Sequence, residues 1–117
     1  MATKPLEATV RPDGQAAVIT LRGEIDSFGE QTLNQAYDQA EALGKPAILL
    51  NFTGVDYINS TGIALIVGLL ARARKTGRRL LTSGLSSHYV EIFQITRLSD
   101  FMSLYPDEAT ALAQVAG

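Results

Sequence analysis

The sequence predicts an α/β fold, a mixed sheet of about five strands with about four helices, and three observations carry that expectation. Alternating apolar residues near the N-terminus are broken by Pro12-Asp13-Gly14, the signature of an antiparallel hairpin. A continuous apolar run from Pro46 to Phe52 has no polar alternation, as suits a central strand buried on both faces. Helical periodicities then alternate with short apolar runs, which predicts strands joined by crossover helices. At 117 residues and 46% hydrophobic content, the chain is expected to form a single domain over 1–117 without disulfides or metals.

Taken in order, Leu6, Ala8 and Val10 alternate with polar neighbours to make the first strand, and Ala16 to Arg22 makes the second. Ser27 with Glu30 three residues on matches a capping box, and Leu33, Ala36, Tyr37, Ala40 and Leu43 recur at helical spacing until Gly44. After the Pro46–Phe52 strand, Thr53 to Asn59 reads as a loop. A second helix is predicted from Ser60 or Thr61 to about Thr76, closed by Gly77, with Arg72, Arg74 and Lys75 where the helix dipole favours cations. Arg79–Thr82 reads as a strand, Ser87 to about Gln94 as a short helix, Phe101–Tyr105 as a last strand, and Pro106–Val115 as a helix opened by its proline.

Composition narrows the function classes. There is no cysteine and one histidine, which excludes disulfide frameworks, thiol catalysis and multi-histidine or cysteine metal sites. A formal net charge of -2 offers no global attraction to nucleic acid. The N-terminus lacks the apolar core of a signal peptide, so the cytoplasm is the expected location. The longest apolar run, Ile63 to Ala71, falls far short of the ~20 residues that span a bilayer, so no membrane insertion is expected. Neither Gly-x-x-x-x-Gly-Lys-Ser/Thr nor Gly-x-Gly-x-x-Gly occurs, and no cofactor is predicted.

The most informative segment is Asp56-Tyr-Ile-Asn-Ser-Thr-Gly62, which sets an amide and two hydroxyls in the turn from a strand region into a helix. Its plain meaning is a helix N-cap. Its functional meaning is a phosphosite at Ser60, whose added charge of about -1.5 to -2 would meet free N–H groups and the positive end of the helix. A partner docked on that turn would be repelled by the same charge. Ile63, Ala64, Leu65, Ile66, Val67, Leu69 and Leu70 cannot all face one sheet, so some meet a neighbouring helix or stay exposed as part of an interface, with core packing favoured for most.

Taken together, Leu21-Arg-Gly-Glu-Ile-Asp26, Asn51-Phe-Thr-Gly-Val-Asp56, Ile58-Asn-Ser-Thr-Gly-Ile63 and Gly84-Leu85 followed by Phe101 resemble the STAS domains, and specifically the bacterial anti-sigma factor antagonists. The resemblance spans nearly the whole chain. It implies a protein without enzymatic activity that binds an anti-sigma factor, often a serine kinase, and so frees a sigma factor for transcription. A serine phosphatase would reverse the phosphorylation. Ser60 becomes the phosphoacceptor, Thr61 its neighbour, Gly62 the residue that lets a partner approach, and Asp26 an acidic group near the site. Asn59, Ile63 and Ile66 complete the implied partner-binding set. Asn59 stands where the family usually carries aspartate, which implies weaker kinase recognition or a variant regulated otherwise. The alternative within the family is a stand-alone accessory subunit packed permanently on a transporter ATPase.

Arg72, Arg74, Lys75, Arg78 and Arg79 supply half of the ten basic residues. A solvated helix end explains them most simply, and an acidic partner or anionic lipid is the sharper reading. No aromatic residues interleave with them, so nucleic acid ranks last. His88 with Ser60 makes a poor hydrolase triad because no Gly-x-Ser-x-Gly elbow is present. Asp26 and Asp56 suggest loop and cap roles rather than a carboxylate pair. A monomer is expected because neither an exposed strand edge nor a heptad pattern stands out.

Overall fold

The computed structural model describes residues 4–115. Its elements are β1 (Glu7–Asp13), β2 (Ala16–Ile25), α1 (Glu30–Ala42), β3 (Ala47–Ile58), α2 (Ser60–Lys75), β4 (Arg79–Ser83), α3 (Ser87–Ile95), β5 (Ser103–Tyr105) and α4 (Glu108–Ala113), with 3-10 turns at Ser27–Gly29 and Leu98–Asp100. The five strands form one sheet in chain order. The β1–β2 pair is antiparallel and the other three pairs are parallel, so the sheet is mixed, as predicted.

Strand alternation sends side chains to opposite faces, and the two faces are covered unequally. Ala17, Ile19 and Leu21 of β2, Ile48, Leu50 and Phe52 of β3 and Leu80 of β4 pack with buried residues of α1, α2 and α3, including Tyr37, Ile66, Leu69 and Phe93. On the other face, Ala16, Val18, Ala47, Leu49 and Leu81 pack with Ala111 of α4. Burial on both faces accounts for the unbroken apolar run at the start of β3.

Four expectations need correction. The Ser27–Glu30 capping box does not form, because Asp26 lies extended one residue earlier and accepts the Phe28 N–H at 3.0 Å, opening a 3-10 turn from which α1 then starts. The segment Thr53–Ile58 is strand rather than loop; it continues β3 alongside β2 across two register shifts, with Gly23 opposite Val55 and Ile25 opposite Ile58. Pro106 precedes α4 rather than opening it, and Asp107 is the cap, accepting the Thr110 N–H at 2.7 Å. Finally, the sheet does have free edges, on β1 and β5. Pro12 and the charged Glu7, Arg11 and Asp13 blunt the first, and three-residue length limits the second.

Candidate partner-docking site

The site lies at the carboxyl ends of β2 and β3, the end of a parallel sheet where connecting loops gather. Both strands finish on buried isoleucines, Ile25 and Ile58, and the chain leaves each through a short polar turn. The two turns are stitched together: the Asn59 N–H donates to the Ile25 carbonyl at 3.2 Å. Gly62 completes the junction. A Cβ there would lie 2.1 Å from the Ile25 carbonyl oxygen, so only glycine lets the first turn of α2 settle onto the end of β2.

A third element holds the turn from beneath. Tyr89, buried on α3, receives the Ile58 N–H on its hydroxyl at 2.8 Å and lies 3.3 Å from the Ile58 carbonyl oxygen. The end of β3 is thereby tied to α3 as well as to β2. Its partner is 31 residues away in sequence, and nothing local in the sequence signals the contact.

Asn59 is the N-cap of α2: its backbone is extended and its Oδ1 accepts the Gly62 N–H at 2.8 Å. With that position filled by Asn59, Ser60 and Thr61 have no capping task, and both are exposed on the first turn. Asn59 therefore performs the capping part of what an aspartate would do there and omits only the charge.

The structure brings Asp26, Asn59, Ser60, Thr61 and Gly62 together, but it does not present all the predicted residues to solvent. Ile66 is fully buried in the core, facing the sheet at helical spacing from Gly62 and Leu69, so it is unavailable to a partner. Gly62 is buried too, and the group it admits is the Ile25 carbonyl rather than a partner. Ile63 is half-buried against the core. Asp26 is half-buried and its carboxylate is engaged by the Phe28 N–H. His88 is exposed, stacks edge-on to Tyr89, and makes no hydrogen bond to Ser60 among the described residues.

One residue beside the site was absent from the predicted set. Phe28 is 93% exposed, held outward on the 3-10 turn that Asp26 caps. It falls five residues before Leu33 and so outside the apolar face of α1, a spacing that sets it apart from the core residues. An aromatic ring fixed in water next to a polar turn is a natural anchor for another protein.

A family model for the STAS domain matches residues 7–111. The chain belongs to the STAS domain family. The anti-sigma-B factor antagonist of Staphylococcus aureus (strain NCTC 8325 / PS 47) is 30% identical to this STAS domain over 84 residues, 72% of this chain and 78% of that protein. Among solved structures, an anti-sigma factor antagonist from Mycobacterium paratuberculosis matches it with a TM-score of 0.79 at 23% identity, covering 99% of this chain and 98% of that one. The Bacillus cell fate determinant SpoIIAA in its phosphorylated form matches with a TM-score of 0.71 at 22% identity, covering 92% of this chain and 98% of that one. The solved structures establish the fold. The homologues are anti-sigma factor antagonists, regulatory proteins by their names.

Proposed function

We propose that this STAS domain is an anti-sigma factor antagonist that binds a serine-kinase anti-sigma factor through the Asp26–Phe28 and Asn59–Thr61 turns and is released by phosphorylation of Ser60. The observation that carries this reading is the division of labour on the first turn of α2. Asn59 caps the helix, leaving the Ser60 hydroxyl exposed and without a structural role.

In the reaction, the Ser60 Oγ attacks the γ-phosphorus of ATP bound to the kinase; the Oγ–P bond forms, the bond to ADP breaks, and the hydroxyl proton passes to a base of the kinase. The new dianion sits at the positive end of α2, where the fold tolerates it. A partner surface pressed onto the same turn has to desolvate it and meet its charge, and binding is lost. A serine phosphatase restores the docking form. This assignment places the protein in the cytoplasm with its kinase, and the chain itself catalyses nothing.

The test is phosphoryl transfer and binding with purified serine-kinase anti-sigma factors of the source organism. Wild type is expected to accept one phosphate, Ser60→Ala none, and Ser60→Asp to bind the kinase at least about tenfold more weakly. Equal labelling of Ser60→Ala, or equal binding of Ser60→Asp, overturns the assignment.

A further inference from the structure

One stripe of α2 stays outside the core: Ser60, Ala64, Val67, Ala71 and Arg74, spaced by three or four residues. It begins at the proposed switch and ends at a shallow groove of about 430 Å3 lined by Val67, Leu70, Ala71, Arg74, Leu98 and Phe101. The groove is open and apolar in its floor, with Val67 43% and Phe101 55% exposed. Arg74 lies over Phe101, its guanidinium carbon 4.8 Å from the ring centroid, and rims the groove with positive charge.

The basic cluster at this end of α2 is divided. Arg72 pairs with Asp38 and Glu41 and stacks on Tyr37, and Arg78 lies within ion-pair range of Glu41. Among the described residues, Arg74 and Lys75 have no carboxylate partner. Two unpaired cations beside an exposed apolar groove complement a surface that is apolar on one side and acidic along its flank.

We propose that this groove receives an acidic amphipathic helix of the same kinase, so that one interface runs the length of α2 from Phe28 and Ser60 to Phe101. The proposal rests on the partner reading above and extends it. Continuity along the stripe and the charge of the rim identify the occupant: a helix laid beside α2 presents side chains at the same three- and four-residue spacing, with carboxylates to meet Arg74 and Lys75. The two ends answer differently to the switch. Fourteen residues of helix separate Ser60 from Arg74, about 21 Å, which exceeds two Debye lengths of about 8 Å at physiological ionic strength. A phosphate on Ser60 disrupts its own end of the interface and leaves the groove contact unaltered, a contact too small to hold the kinase once the Ser60 end is lost.

The experiment is calorimetric titration of the purified kinase with wild type, Phe101→Ala and Arg74→Glu, both substitutions being at exposed positions. Each variant is expected to bind about tenfold more weakly than wild type while accepting phosphate at Ser60. Kinase affinity equal to wild type in both variants overturns the groove assignment and leaves the Ser60 reading standing. A wild-type protein that binds none of the kinases removes both. Sedimentation of the chain alone covers the remaining occupant: a dimer that Phe101→Ala dissolves assigns the groove to a second copy and overturns the proposal.

Discussion

At the scale of the residue, Asn59 shows how one side chain can keep a structural duty while changing an electrostatic one. Its Oδ1 holds the Gly62 N–H at 2.8 Å, a bond that an aspartate would make equally well. Asn59→Ala is expected to cost about 1 kcal/mol of stability through the lost cap. Asn59→Asp is expected to be neutral or to gain about 0.5 kcal/mol, since a carboxylate is favoured at the positive end of α2. Urea denaturation of the two variants separates these outcomes, and a loss of stability in Asn59→Asp would contradict the capping geometry. The adjacent Gly62 is constrained from a different direction, since the Ile25 carbonyl fills the space a methyl group would need. The sequence pattern shows a polar turn with a glycine, but the reason for the glycine lies 37 positions upstream in a neighbouring strand.

At the scale of the element, α4 is a six-residue helix that is too short to hold itself together, so its ties to the sheet decide its stability. Glu108 supplies two of them: it accepts from the Arg11 guanidinium on β1 and from the Asn51 side-chain amide on β3, the latter at 3.0 Å. The hydrogen bond from Arg11 holds the Glu108 carboxyl below its ordinary 4.5, against a smaller opposing effect of burial. A depressed carboxyl contributes its stability above the unfolded-state value and loses it as pH falls through the folded-state value. Wild type is therefore expected to exceed Glu108→Gln by about 0.5–1 kcal/mol near neutral pH, with the difference disappearing at pH values below 4.5. Urea titrations at successive pH values measure this, and a pH-independent difference would refute the ionic tie. The elements were legible to very different degrees. The first part of β3 and the apolar face of α1 announce themselves, since burial of a whole strand or stripe imposes a period on the sequence. Thr53–Ile58 was not legible as strand: β4 ends opposite Asn51, the segment pairs with β2 alone, and with Thr53, Gly54, Asp56 and Tyr57 all exposed it carries no apolar period. Asp26 as the cap was hidden for a similar reason, because Ser27 and Glu30 present a complete local pattern that the longer β2 overrides.

At the scale of the whole molecule, the site is a corner pinned at two points, tied to β2 by Asn59 and to α3 by Tyr89. A charge placed there should act on partners and spare the fold. Ser60→Asp is expected to change stability by no more than about 0.5 kcal/mol, a shift of about 3 °C or less in thermal midpoint for a domain of this size. A large fall in midpoint, read by circular dichroism, would mean that the proposed switch works by unfolding the corner. The family motifs at Asp26 and at Asn59–Gly62 were readable because they are contiguous. The exposed face of α2 was not, since seven neighbouring apolar residues give no hint which ones the core will take. The order of the sheet, β1 to β5 in the order of the chain, carries a consequence of another kind. During synthesis each strand leaves the ribosome after its pairing template has been made, with β1–β2 supplying the first ladder and every later strand adding to the growing edge. No strand waits for a later one to be inserted between it and its neighbour, so the chain can assemble vectorially, and the corner bearing Ser60 is complete only when α3 brings Tyr89 beneath it.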